Sequence, residues 1–150
     1  MWVLQIQPTG QAELQLGFQK LLAEFEDWHS QFELLEPESE IVMVRRFEQE
    51  GPGWLELKPA TVAYKATHFP GKTILRRTDA LFLSFQKGNA DNFVRIDALT
   101  AEFGSTNPYG KFQPDTRLIV DISDSDEERF LQIVAEDKTE RFRQLGFDVN

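Results

Sequence analysis

By type, the residues best suited to ligate a metal or to move a proton near neutral pH are the two histidines, His29 and His68; the chain has no cysteine. A zinc site needs several ligands at workable spacing, and a hydrolytic triad needs a nucleophile, a base and an orienting partner. Neither constellation surrounds either histidine, and His29 reads as a helix-surface residue. The acidic run from Asp121 to Glu128 offers oxygens of the kind calcium prefers. It lacks the tight-turn glycine and the bidentate glutamate that close a twelve-residue loop, so a helix cap from Asp124 or Ser125 explains it better. No G-x-x-x-x-G-K-[ST] or G-x-G-x-x-G follows a strand, so Gly51-Pro52-Gly53 and the turn around Pro108 and Tyr109 are not phosphate cradles. No catalytic residue, metal ligand or cofactor is assigned, and the chain is not expected to be an enzyme.

Charge is the more informative chemistry. The formal net charge over 150 residues is −9, unevenly placed: residues 1–57 carry eleven acids and three bases, residues 58–78 five bases and no acid, and residues 79–150 fourteen acids and eight bases. Tight wrapping of a nucleic acid relies on clustered Lys and Arg that release counterions, which an acidic body does not provide. A basic island in an acidic body suits an arm that lies on an acidic neighbour, such as another copy of the chain.

These groups must be positioned by a folded unit. The chain is 41% apolar, with 13 phenylalanines and three tryptophans, far more large apolar surface than a disordered chain carries. Its length fits a single domain, residues 1–150. No run is long and apolar enough for a membrane span, the N-terminus lacks the pattern of a signal peptide, and a cytosolic site of synthesis is expected.

Residues 1–8 alternate Trp2, Leu4 and Ile6 against Val3, Gln5 and Gln7 before Pro8, which predicts a short strand. Leu14, Phe18, Leu21, Phe25, Trp28 and Phe32 recur at spacings of three and four, predicting one amphipathic helix of about five turns. A second helix is expected to begin at Pro37, bury Ile41, Val44 and Phe47, and stop at Gly51-Pro52-Gly53. Residues 54–78 read as a mostly extended basic arm with one helical turn around Pro59 to Lys65. Residues 80–86 and 92–99 read as strands of a hairpin joined by residues 87–91, followed by a turn-rich crossover and a further strand over residues 117–123. A last helix starts near Asp124 and ends at Gly146. The expected fold class is α+β: a small antiparallel or mixed sheet packed by about three helices, with a long extended arm between helix 2 and the central hairpin.

An ordered set of residues carries a resemblance. Arg46 and Phe47 end a helix, and Trp54, Leu57 and Pro59 form a Trp-x-x-Leu-x-Pro segment. Leu75, Thr78, Leu81 and Ser84 follow a Leu-x-x-Thr-Gly-x-Leu-x-x-Ser pattern in which Asp79 stands where the pattern has glycine. Pro108, Tyr109 and Gln113 make a Pro-Tyr turn without the usual histidine and glycine after it, Arg117 opens the last strand, and Asp124 to Glu128 start the last helix. The order, over residues 45–135, resembles the Mu-like bacteriophage virion morphogenesis proteins, which are tail completion or neck components of long-tailed phages.

The resemblance implies a structural virion protein, a tail completion or terminator protein assembled in the host cytoplasm, acting at the head-tail joint as a homo-hexameric ring. Its partners would be copies of itself, the tail tube and sheath proteins, and the head connector or stopper, with DNA passing through unbound. A head-side connector or stopper of the same neck is the alternative within that class. A nucleic-acid-binding accessory protein using the basic arm is the alternative outside it. The expected interface residues are Trp54, Tyr64 and Phe69 as apolar anchors, Lys58, Lys65, Lys72, Arg76 and Arg77 as register-setting charges, and Pro108 and Tyr109 in the turn.

Overall fold

The computed structural model describes residues 11–51, 53–112, 117 and 119–147, so the strand expected over residues 1–8 lies outside the described residues. In chain order the elements are α1 (Gln11–Glu26), α2 (His29–Glu48), α3 (Pro59–His68), a single turn α4 (Ala80–Leu83), β1 (Asn92–Ile96), β2 (Ala101–Ser105), a 3-10 turn at Pro108–Phe112 and α5 (Asp124–Gln144). The described strands form one two-stranded antiparallel hairpin that packs against α2, an α+β arrangement as expected.

The single helix expected over residues 14–32 is broken at Asp27 and Trp28. In an unbroken helix the Trp28 N–H would donate to the Glu24 carbonyl. It donates instead to the carbonyl of Ala98 at 2.7 Å, while the Glu24 carbonyl accepts from the Lys138 ammonium. The Asp27 carboxylate then accepts from the His29 N–H at 2.9 Å and opens α2 eight residues before the expected start at Pro37. Pro37 therefore sits inside α2, where it removes one backbone donor. The helix continues through it because its second half buries Val42, Met43 and Phe47. The expected buried side of Ile41, Val44 and Phe47 is thus rotated, with Ile41 55% exposed and Val44 only partly covered, because the core lies against the face that carries residues 42, 43 and 47.

The main core forms around the end of α2. Phe47 is fully buried, with the rings of Trp54, Phe82 and Phe85 at centroid distances of 5.7, 5.6 and 5.9 Å, and Ile74, Leu81 and Ile119 complete the cluster. Each such aromatic pair stabilises by about 0.5–1.5 kcal/mol beyond its area burial. The chain leaves α2 by a sharp reversal: Gly51 has φ +62°, and a Cβ there would lie 2.1 Å from the Trp54 ring. Only glycine fits that close approach.

The hairpin is not the expected one. Residues 80–83 form a helical turn whose Leu81 and Phe82 point into the core, and β1 pairs with β2, Asn92 opposite Ser105 and Ile96 opposite Ala101. Short apolar runs do not distinguish a buried helical turn from a strand by periodicity, and here burial of consecutive residues 81 and 82 selects the helix. What reads as a crossover after Thr100 is thus β2, and the described residues of 117–123 pair with no strand. That segment is held by side chains instead: Arg46, itself buried, donates to the Asp121 carbonyl at 3.0 Å and its carboxylate at 2.9 Å.

α5 is capped by Ser123 rather than by Asp124 or Ser125. The Ser123 hydroxyl accepts from the Asp126 N–H and the Asp126 carboxylate accepts from the Ser123 N–H, a reciprocal capping box. Gly146, with φ +87°, ends the helix as expected.

Candidate interaction surface

The basic segment 54–78 is anchored in the body at both ends. At its start Trp54 is 8% exposed within the core, so this expected interface anchor is committed to packing inside its own chain. At its end Ile74 is 6% exposed, and its N–H donates to the Glu50 carboxylate at 2.9 Å. Between them the helix is longer than the one turn expected. Pro59 at its first position presets the backbone, and Thr61 and Val62 donate to the Lys58 carbonyl. No residue of α3 is buried.

The exposed side of α3 carries an aromatic group. Tyr64 stacks on His68 with centroids 4.1 Å apart, His68 Nδ1 lies 2.9 Å from the Tyr64 carbonyl oxygen, and Phe69 follows at 6.2 Å from Tyr64. The Arg77 guanidinium lies 5.5 Å from the centre of the Phe69 ring. Lys65 turns inward and donates to the Thr73 carbonyl. Burial lowers its pKa, with the Glu50 carboxylate acting in the opposite direction.

Lys72 and Arg76 both bind Asp79, Arg76 through Nε at 2.8 Å, and Arg76 also covers the Phe82 ring at 4.0 Å. The hydrogen bonds from Arg76 and then Lys72 hold the Asp79 carboxyl below its ordinary pKa. Glu50, Leu75 and Asp79 are the three non-glycine residues with positive φ among those described, at 55°, 61° and 61°. Glu50 and Asp79 flank the basic segment and Leu75 lies near its end, all in a conformation that side chains rarely take.

Of the ten expected interface residues, the structure thus brings Tyr64, Phe69 and Arg77 into one aromatic and cationic patch with Lys72 beside Phe69, turns Arg76 onto Asp79 and the Phe82 ring, and sets Lys58 at the entry to α3. Pro108 and Tyr109 lie in the 3-10 turn. Asn107 accepts from the Tyr109 N–H at 3.1 Å and donates to Asp91 at 2.9 Å, which fixes the turn, while Tyr109 is 59% exposed.

A second surface is not visible in the sequence. Between the hairpin, α2 and the segment before α5 lies a groove of about 510 Å³. Its walls include Phe93, Val94, Phe103, Val120, Ile122 and Phe130, with Glu36, Glu40 and Glu102 at the polar positions and Lys87 as the one ammonium. Glu36 pairs with Lys87 at 3.1 Å, and the Lys87 N–H donates to Glu40 at 3.4 Å. Val120 is 56% and Ile122 51% exposed there. The i, i+4 spacing of Glu36 and Glu40 was the available signal, but it marks a groove wall only once the hairpin is known to be residues 92–105.

Among the described residues no three His, Asp or Glu side chains gather as a metal ion would require, and no helix is long and apolar enough to cross a membrane. Comparison with known proteins finds no matching family model, no matching curated protein and no matching solved structure.

Proposed function

We propose that the chain is a structural assembly protein of the neck of a tailed bacteriophage, a tail completion or terminator protein that caps the tail tube and joins it to the head connector. The observation that carries this reading is the convergence of residues that are far apart in the resembled pattern. Arg46, Phe47, Trp54, Leu81 and Ser84 are all buried, and Leu57 and Leu75 pack against the same cluster. Arg117 closes the set by donating to the Leu55 carbonyl at 3.1 and 2.8 Å.

The departure at Asp79 supports the same reading. Its φ of +61° and ψ of 0° are values that glycine adopts freely, and glycine is what the pattern has there. A side chain is tolerated because its carboxylate is used by Lys72 and Arg76. That use also disfavours the nucleic-acid alternative, since two of the five bases are already neutralised within the chain.

A neck protein works by associating with copies of itself and with the rings above and below. The separation of a basic, aromatic patch from acidic apolar surfaces suits the head-to-tail contacts that close rings. Electron microscopy of phage particles produced without this chain tests the reading. Filled heads beside detached, absent or overlong tails are expected. Overlong tails single out a terminator, tails of normal length that fail to join heads favour the connector side, and normal infectious particles overturn the proposal.

A further inference from the structure

From the groove and α3 together we infer that this chain joins to a second copy by seating α3 of one copy in the groove between the hairpin and α2 of the next. The inference rests on the reading that the chain assembles with itself, and not on the kind of particle it builds. Two surfaces lack cover, and their chemistry is complementary. α3 buries none of its residues and presents Ala60, Ala63, Tyr64 and Thr67 along one side, Tyr64 being 53% exposed. The groove is apolar in its walls and acidic at its polar positions: Glu36 is shared with Lys87 at 3.1 Å and Glu102 with Arg95 at 3.8 Å, while Glu40 has no cation partner among the described residues.

The cations that would meet those carboxylates are free to do so. Lys58 and Arg77, at the two ends of the α3 patch, are exposed and have no carboxylate partner among the described residues. Lys72 and Arg76 are engaged by Asp79 and are left out of the contact. Tyrosine and arginine are the residues that most often anchor such interfaces, because they fill a pocket and still satisfy a polar tip.

Geometry within one copy assigns the contact to a pair of copies. The groove shares no lining residue with the cleft beside α3, which is built from Leu57, Val62, Lys65, Phe69 and their neighbours. Knob and socket are then different surfaces of one chain, so each copy offers both and the contact propagates head to tail, into a ring where its rotation closes and a filament where it does not.

The absence of cysteine makes the test direct, since an introduced thiol is the only one in the chain. Ala63→Cys on α3 and Val120→Cys in the groove are prepared as separate full-length proteins, mixed, and treated with a short bis-maleimide. The expected result is a covalent heterodimer in the mixture, little product from either variant alone, and a ladder of higher species from the double variant. Lys58→Glu with Arg77→Glu should reduce cross-linking at least tenfold, and pairing that partner with Glu36→Lys, Glu40→Lys should restore it.

Cross-linking confined to one single variant overturns the inference in favour of a symmetric contact. Oligomers that form without the mixed cross-link overturn it while leaving the neck reading intact. The mixed cross-link together with normal particles in the absence of the chain would do the reverse. A monomer at every concentration, with no cross-link, removes the inference and points the groove toward another partner.

Discussion

At Asp79 the backbone holds a left-handed conformation while the carboxylate binds Lys72 and Arg76. Asp79→Asn keeps a side chain that tolerates the conformation but removes the charge, and should cost about 1.5–3 kcal/mol, the range for hydrogen bonds to charged groups. Asp79→Ala and Asp79→Gly lose these bonds altogether, but glycine is spared about 1 kcal/mol of left-handed strain, so it should be the more stable of that pair by urea denaturation. Asp79, Asp126 and Asp137 all have pKa values below the ordinary carboxylate range. At Asp126 burial acts upward but is outweighed by hydrogen bonds from Ser123 and the Arg45 guanidinium; at Asp137 burial is likewise outweighed by Gln31 and Arg141. A pKa lower in the folded than in the unfolded chain means that the unfolded chain binds more protons between the two values, so stability rises with pH there. The stabilisation is complete above the ordinary carboxylate pKa of about 4 and is lost as pH falls through the folded values. Thermal melts from pH 6 downward should show Tm dropping below about pH 4, and Asp126→Asn should flatten that drop.

The elements show where one-dimensional patterns suffice and where they fail. The existence of α5, its end at Gly146 and the stop of α2 at Gly51 are legible because helix periodicity and glycine chemistry act locally, whereas the buried side of α2 is not, since of the expected Ile41, Val44 and Phe47 only Phe47 is fully buried. The break at Asp27 and Trp28 is not, because its cause is a lysine from α5 occupying the Glu24 carbonyl and a hairpin carbonyl taking the Trp28 N–H. Both partners lie about 70 or more residues away in sequence, beyond any local pattern. Lys138 is 5% exposed, donates also to the Asp27 carbonyl at 3.3 Å and lies 4.7 Å from the Trp28 ring centre. Lys138→Met keeps the bulk and removes these bonds, so it should cost about 1–3 kcal/mol. Hydrogen exchange should locate the effect: amides of α1 should lose protection more than those at the buried end of α2.

For the molecule as a whole, the charge partition and the α+β class were readable from composition and order, since both are sums over many residues. The groove was not, because it depends on which strands pair. The expected patch survives in part: Trp54 serves the core, and Tyr64, Phe69 and Arg77 remain at the surface. Apolar side chains are also left uncovered on α1, where Leu14, Phe18, Leu22 and Phe25 are each more than half exposed. Association that covers such surface raises stability with concentration, so Tm should climb over a hundredfold range of protein concentration. Because cations meet carboxylates across the inferred contact, sedimentation at 0.5 M salt should show weaker association than at 0.05 M, consistent with screening of exposed charges.

The joint at Trp28 has a mechanical meaning. Three distant parts of the chain, the end of α1, the hairpin tip at Ala98 and the α5 residue Lys138, meet there through a few hydrogen bonds. The Phe25–Phe142 contact, at 5.6 Å, lies within one turn of the same place. α1 is therefore fastened to the hairpin tip and along the end of α5, with Gly17 beside the Phe147 ring, rather than to the cluster around Phe47. A pull on its far end would load the hairpin tip and α5 first, and would reach α2 and the cluster around Phe47 through the bonds that tie α5 to α2, Gln31 to Asp137 and Arg45 to Asp126.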